Sequence, residues 1–293
     1  MLGAFAIVYV IWGSTYLAIL FAIETVPPFL MAAMRFLLAG SLLYAWSRTV
    51  GGAARPSRAH WRVAAIVGVL LLFGGNGLVT WSEQRVPSGM AALLVGTVPC
   101  FMVLLDWLRP GGVRPTGRVA AGLVLGLLGL VWLVGPDSVM GGGRADLIGA
   151  AALVLASFSW AVGSIYSRQA SMPASPFLST AMQMLAAGVA LGVLSVALGE
   201  PWRFDPAALS LRSALGFAYL VVFGSIVAFS AYIWLLRVST PARVSTYAYV
   251  NPVVAVLLGA AFANEALTTR MLVAAAVIVS GVALITLSAR KTP

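Results

Sequence analysis

Charge is what this chain has least of. Of 293 residues only 9% are charged, against about 25% in a soluble domain, and the mean hydropathy is +1.00. A water-exposed surface cannot be built from so few charges, so the soluble classes fall away. Acids are scarcer still, with eight Asp and Glu in all and none deep inside an apolar stretch. The single histidine, His60, stands in a basic connecting segment. The single cysteine, Cys100, excludes a disulfide within the chain and any Cys-based metal site. No paired acids, metal-ligand set or Ser–His arrangement stands at membrane depth, so the sequence points away from an enzyme and requires no cofactor or metal. No Walker A motif is present, which removes ATP as a driving force.

Long apolar runs are what the chain does have. A spanning helix needs about 20 mostly apolar residues. Ten runs qualify, at roughly 3–22, 28–47, 62–82, 89–107, 118–135, 147–167, 176–198, 212–236, 242–263 and 269–288. The breaks between them are short and carry turn chemistry, such as Val26-Pro27-Pro28, Arg109-Pro110-Gly111-Gly112, Gly141-Gly142-Gly143 and Thr240-Pro241. The first run has no basic segment before it and no small-residue cleavage site after it, so it reads as a retained helix. With the N-terminus inside, twelve basic residues fall in inner segments and five (Arg85, Arg144, Arg203, Arg212 and Arg270) in outer ones. That is the asymmetry expected of cytoplasmic loops. It accounts for the net charge of +10 without nucleic acid. The expectation is an all-α polytopic protein of a bacterial inner membrane, with both termini cytoplasmic.

The chain also repeats itself. Pro28–Gly40 reads PFLMAAMRFLLAG and Pro176–Gly188 reads PFLSTAMQMLAAG, eight identities in thirteen positions at an offset of 148 residues. Trp12-Gly13-Ser14 recurs loosely around Trp160, Phe73-Gly74 recurs as Phe223-Gly224, Pro99 pairs with Pro252, and Arg118 with Arg270. An internal repeat of half the chain reorganises the fold reading: residues 1–140 and 145–293 are two five-helix units. Five is odd, so the second unit enters the membrane from the opposite side. Inverted repeats let a carrier alternate between inward- and outward-open states by exchanging the conformations of its halves around a central cavity. A larger bundle made by simple duplication, or a channel, uses the same arrangement.

Several stretches carry a resemblance. They are Trp12-Gly13-Ser14, the Pro-Phe-opened second helix with Arg35-Phe36, the run from Trp81-Ser82-Glu83-Gln84 to Ala91-Ala92-Leu93-Leu94 with Pro99 beyond, Tyr249-Val250-Asn251-Pro252, and Asn264-Glu265-Ala266-Leu267-Thr268. Together they resemble the EamA family of the drug/metabolite transporter superfamily over nearly the whole chain. The resemblance implies ten helices, a cavity lined mainly by helices 1, 3, 4, 6, 8 and 9, and export of amino acids or other small metabolites. Within the family the chain is most similar to YddG-type exporters of aromatic and hydrophobic amino acids. A multidrug or other metabolite exporter, with or without proton coupling, is the alternative. Sugar nucleotides would demand several buried Lys or Arg for their phosphates.

Polar and aromatic residues inside spans are the candidate site. Trp12 and Tyr16 share a helix face, and Trp81, Trp160, Ser164, Tyr232 and Met102 lie on the other expected cavity helices. Asn76 sits among Gly74, Gly75 and Gly77, where glycines weaken a helix by about 1 kcal/mol each and open its backbone; close packing is the plainer use of the same residues. Tyr247 and Asn251 stand four apart and share a face, beside Pro252. Pro99 and Pro252 each remove an intrahelical bond, so with Gly74 and Gly75 they are the expected hinges. Arg35 is the one basic residue deep in a span: it either ties helix 2 to a neighbour or anchors a substrate carboxylate. Glu83, at the outer end of helix 3, is the one acid placed to carry a proton. The expected partners are a small neutral solute and the bilayer. The chain is expected to be a monomer or a weak homodimer; Gly122-x-x-x-Gly126 reads first as helix packing, with a dimer contact the lesser use.

Overall fold

The computed structural model describes residues 1–86, 88–134, 147–262 and 268–287, and among these no residue is in a strand. Helices are the natural solution in hydrocarbon, because each one satisfies its own backbone polar groups. The motif Asn264–Leu267, the glycine run 141–143 and the basic pair Arg290-Lys291 lie outside the described residues.

The chain runs through α1 (Leu2–Ile23), α2 (Pro28–Thr49), α3 (Arg58–Ser82), α4 (Ser88–Val95), α5 (Val98–Leu108), α6 (Gly117–Val134), α7 (Leu147–Gln169), α8 (Pro176–Ala197), α9 (Glu200–Arg203), α10 (Leu211–Val238), α11 (Pro241–Val244), α12 (Tyr247–Phe262) and α13 (Thr269–Leu287). The starts follow from sequence. Pro28 and Pro176 occupy first turns, where a missing N–H costs nothing. Ser57, Ser175, Ser210 and Thr240 each accept a backbone N–H from the first turn of the helix that follows.

Seven helices (α1, α2, α3, α7, α8, α10 and α13) are long and apolar enough to cross a membrane. The other three expected spans coincide with shorter or interrupted helices, so among the described residues seven of the ten expected spans are met by a single long apolar helix. One interruption falls at Gly96-Thr97, where Thr97 Oγ donates to the Leu94 carbonyl at 2.6 Å and a new helix begins. Pro99 therefore sits in the first turn of α5 and does not kink the middle of a span as expected. Pro252 does lie inside a helix, α12. A second interruption separates α11 from α12 at Ser245-Thr246. Large apolar side chains such as Leu17, Leu42, Leu128, Trp132, Leu155 and Val193 point outward, as a lipid-facing surface requires.

The two near-copies in sequence, α2 and α8, pack against each other. Going along α2, Ala33, Leu37 and Gly40 meet Gly192, Gly188 and Leu185 of α8 in turn. As one number rises the other falls, so the two helices are antiparallel. The contacts are also reciprocal: Gly40 faces Leu185 and Gly188 faces Leu37, the pattern of a two-fold relation. The seam between α6 and α13 repeats this. Gly122, Gly126 and Gly129 meet Ile285, Gly281 and Ile278 in order. The Gly122-x-x-x-Gly126 face, read from sequence as helix packing, is occupied within the chain. Its small residues let two backbones of one molecule approach.

α3 and α10 correspond in a further way. Each changes midway to widened π-helical turns, at Val69–Gly77 and at Leu220–Phe229. Such turns cluster at functional positions. Here both face the centre of the molecule.

Candidate functional site

A cavity of about 90 Å³ lies where α1, α2, α3, α4, α5, α7, α10 and α12 converge. A single water needs roughly 10–15 Å³ on the same measure. Its walls include Trp12, Thr15, Tyr16 and Ile19 of α1, Arg35 and Phe36 of α2, and Leu72, Gly75, Asn76 and Val79 of α3. Val95, Val98, Ala156, Ser157 and Trp160 follow, and Gly224, Phe229, Tyr247 and Asn251 complete it. Both π-helical stretches contribute, through Gly75-Asn76 and through Gly224.

The aromatic part is built symmetrically. The Trp12 and Trp160 rings meet edge to face, 5.5 Å apart. Trp12 also contacts Tyr232 at 5.0 Å and Tyr247 at 4.9 Å. Trp160 packs on Gly75 so closely that a Cβ there would lie 2.7 Å from Cε3 of its ring. In the other half, Trp12 Nε1 donates to the carbonyl of Gly224 at 3.2 Å. Tyr232 is wholly buried behind Trp160: its hydroxyl accepts from Trp160 Nε1 at 2.8 Å and meets Ser164 Oγ at 2.6 Å. Tyr232 and Ser164 thus hold the indole from the second layer. Sequence placed them in the cavity wall, because helical spacing shows that they share the Trp160 side but not their depth.

The polar part is sparse. Asn251 donates its amide to the carbonyls of Tyr247 at 2.9 Å and Tyr9 at 3.2 Å, which occupies its donor end. Asn76 keeps a buried Oδ1 with no hydrogen-bond partner. Arg35 is 4% exposed. It donates Nε to Ser225 Oγ at 2.7 Å, stacks its guanidinium over Phe36 at 4.9 Å, and leaves Nη1 buried and unpartnered. The wall therefore carries one cation. Glu83, one turn beyond Val79 on α3, is partly exposed as a residue, yet both its carboxylate oxygens are buried without partners.

The structure brings Trp12, Tyr16, Arg35, Gly75, Asn76, Trp160, Tyr247 and Asn251 together around one space. It places Met102 fully in the core, outside the cavity lining. Trp81 packs at the end of α3 beneath the Arg85 guanidinium, 4.6 Å from its ring. Gly74 faces Ser159 Oγ, which in turn donates to the Leu70 carbonyl at 2.7 Å. Pro99 and Pro252 are buried away from the wall. Sequence reasoning missed the apolar lining of Phe36, Leu72, Val79, Val95, Val98 and Phe229. Nothing separates these from ordinary core residues in an apolar helix. Gly224 was within reach, as the repeat partner of the α3 glycines.

A profile of the EamA-like transporter family matches residues 1–135 and again 147–287. The chain belongs to that family. Among relatives, the uncharacterized inner membrane transporter YedA of Escherichia coli is 41% identical over 288 residues, covering 98% of this chain and 90% of YedA. Protein PecM of Dickeya dadantii is 27% identical, covering 94% of this chain and 88% of PecM. The uncharacterized transporter YoaV of Bacillus subtilis is 24% identical over 96% and 94%. A solved crystal structure superimposes with a TM-score of 0.78 at 24% identity, over 97% of this chain and 95% of that one, a likeness of fold alone. The family assignment makes this a membrane transporter, and the resemblance drawn from its motifs stands.

Proposed function

We propose that the protein exports small neutral amphipathic solutes, aromatic and hydrophobic amino acids foremost, across a bacterial inner membrane by alternating access. The moving parts are two inverted five-helix units, 1–140 and 145–293, with both termini cytoplasmic. The observation that carries the reading is a central cavity whose aromatic wall is shared between the units, Trp12 from one and Trp160 from the other. The antiparallel, reciprocal seams of α2 with α8 and α6 with α13 support the inversion. The YedA name supports the membrane.

In this mechanism the apolar part of a solute lies against Trp12, Trp160 and Phe229, and its polar end meets Asn76 and Tyr247. The glycines and π-turns of α3 and α10 are where the two units bend, since widened turns change backbone bonding at small cost. Tightly packed cores switch between discrete arrangements rather than deform smoothly. The buried carboxylate of Glu83 favours one second reading, exchange of the solute against protons.

Counterflow in proteoliposomes, with labelled phenylalanine, methionine, threonine and alanine and no imposed proton gradient, tests the proposal. Saturable uptake is expected for some of them, and Asn76→Ala is expected to reduce it while the protein still folds. No uptake of any, from folded protein, would reject amino acids as the substrate class. Uptake that appears only with a pH gradient would establish the second reading.

A further inference from the structure

Three buried polar groups, two in the cavity wall and one just beyond it, have no hydrogen-bond partner inside the protein, and their chemistry is complementary to one kind of molecule. Arg35 Nη1 is a cationic donor, and Asn76 Oδ1 and the two Glu83 oxygens are acceptors; all are shut off from solvent and bond to nothing. Arg35 and Asn76 line the cavity. Glu83 caps the C-terminal end of α3, seven residues beyond Asn76 and on the same side, with Val79 of the cavity wall between them. Glu83 lies within electrostatic reach of Arg35, though the two make no ion pair.

Leaving a buried charge unpaired is costly. A purely structural arginine and glutamate in one dry interior would close on each other as an ion pair. Here Arg35 gives Nε to Ser225 instead, and neither Nη1 nor the Glu83 carboxylate reaches a partner. The two opposite charges stand apart and each lacks what the other could supply. A solute carrying both an anion and a cation meets both needs at once. Guanidinium suits a carboxylate, which it engages through its planar fork. An ammonium brings three donors, suited to an amide oxygen and a carboxylate.

We propose that the site recognises a zwitterionic head group, with Arg35 taking the carboxylate and Asn76 with Glu83 taking the ammonium. This deepens the reading above, on which it rests: it explains how an apolar cavity with one cation selects an amino acid over an amine or an acid of the same side chain. A molecule with only one of the charges leaves buried groups unsatisfied, and that is where hydrogen-bonded sites discriminate most strongly. Arg35 in the second unit's register is Gln183, so the charge belongs to one half alone.

The experiment measures inhibition of labelled phenylalanine counterflow by phenylalanine, phenethylamine and 3-phenylpropionate. For the wild type, both truncated analogues are expected to inhibit about 10-fold or more weakly than phenylalanine. In Arg35→Gln, phenethylamine should gain on phenylalanine. In Glu83→Gln, 3-phenylpropionate should gain. Ligand-induced shifts of the thermal unfolding midpoint, measured on wild-type protein with the same three compounds, give the ranking even where a variant does not fold. Equal inhibition and equal shifts by all three overturn the head-group assignment while leaving amino-acid transport intact. So do variants that weaken all three in parallel. Glu83→Gln that keeps the ranking but loses a response to pH assigns Glu83 to a proton and overturns its role toward ammonium. Absence of any amino-acid uptake by the wild type rejects the functional reading itself, and this inference with it.

Discussion

Arg35 of α2 and Gln183 of α8 are equivalent positions in two stretches that share eight of thirteen residues, yet they do different work. Arg35 lines the cavity and bonds Ser225 across to α10. Gln183 is fully buried in the core, with its amide on Ser179 one turn away and its backbone pressed against Gly68. The scaffold was kept while the chemistry moved to one side. The glycine–leucine contacts that join the two helices are the same in both directions, because they are set by close backbone approach. The polar groups are not, because nothing in that approach depends on them. A duplicated transporter can hold its halves together symmetrically and still bind asymmetrically.

The comparison can be broken most forcefully by Gln183→Arg, which would make the two halves alike. The new charge would enter a site with no solvent and no acid partner, and an uncompensated buried charge costs about 3–5 kcal/mol. A sharp fall in folded yield, read by size-exclusion chromatography and thermal unfolding, is expected. A folded, active Gln183→Arg protein would mean that both positions have access to the cavity.

Ser225→Ala tests the other side. It removes the acceptor from Arg35 Nε, and a lost bond to a charged group costs about 1.5–3 kcal/mol. The expected signs are lower thermal stability and reduced transport together, because the guanidinium loses its fixed position. Tyr232→Phe is next. It leaves Trp160 Nε1 and Ser164 without their shared partner, at about 1–3 kcal/mol, and should loosen the Trp160 side of the aromatic wall while leaving Trp12 in place. Tryptophan fluorescence of Trp12→Phe and Trp160→Phe backgrounds separates the two. The smallest effect sharpens the symmetric part: Gly40→Ala and Gly188→Ala put a Cβ at 3.0 Å and 2.8 Å from the Cγ atoms of Leu185 and Leu37. Each is expected to cost about 1 kcal/mol, the low end for overpacking, and the two losses should be nearly equal in thermal unfolding. Unequal losses would show that the seam is less symmetric than its contacts.

Much of the fold was legible in the chain. The apolar runs located the long helices, and Pro28 and Pro176 marked the starts of two of them. The interruptions were less legible. Thr97 and Thr246 end helical stretches by bonding backward to nearby carbonyls, and the same residues sit in helix interiors elsewhere. Of the cavity wall, Trp12, Tyr16, Asn76, Trp160, Tyr247 and Asn251 were legible because polar and large aromatic residues are conspicuous in hydrocarbon. Met102, Tyr232 and Ser164 were placed one layer too far in.

The membrane class, the duplication and the position of the lone deep arginine follow from composition and order along the chain, since the costs of burying charge and of exposing backbone to lipid depend on residue type and local sequence. Which face of each helix meets the cavity, which tyrosine stands behind which tryptophan, and that Arg35 and Glu83 remain unpaired were decided by tertiary packing. Helical periodicity tells which residues share a face. It does not tell which neighbour that face will meet, because that contact joins residues about 150 positions apart and depends on how every other helix has already settled.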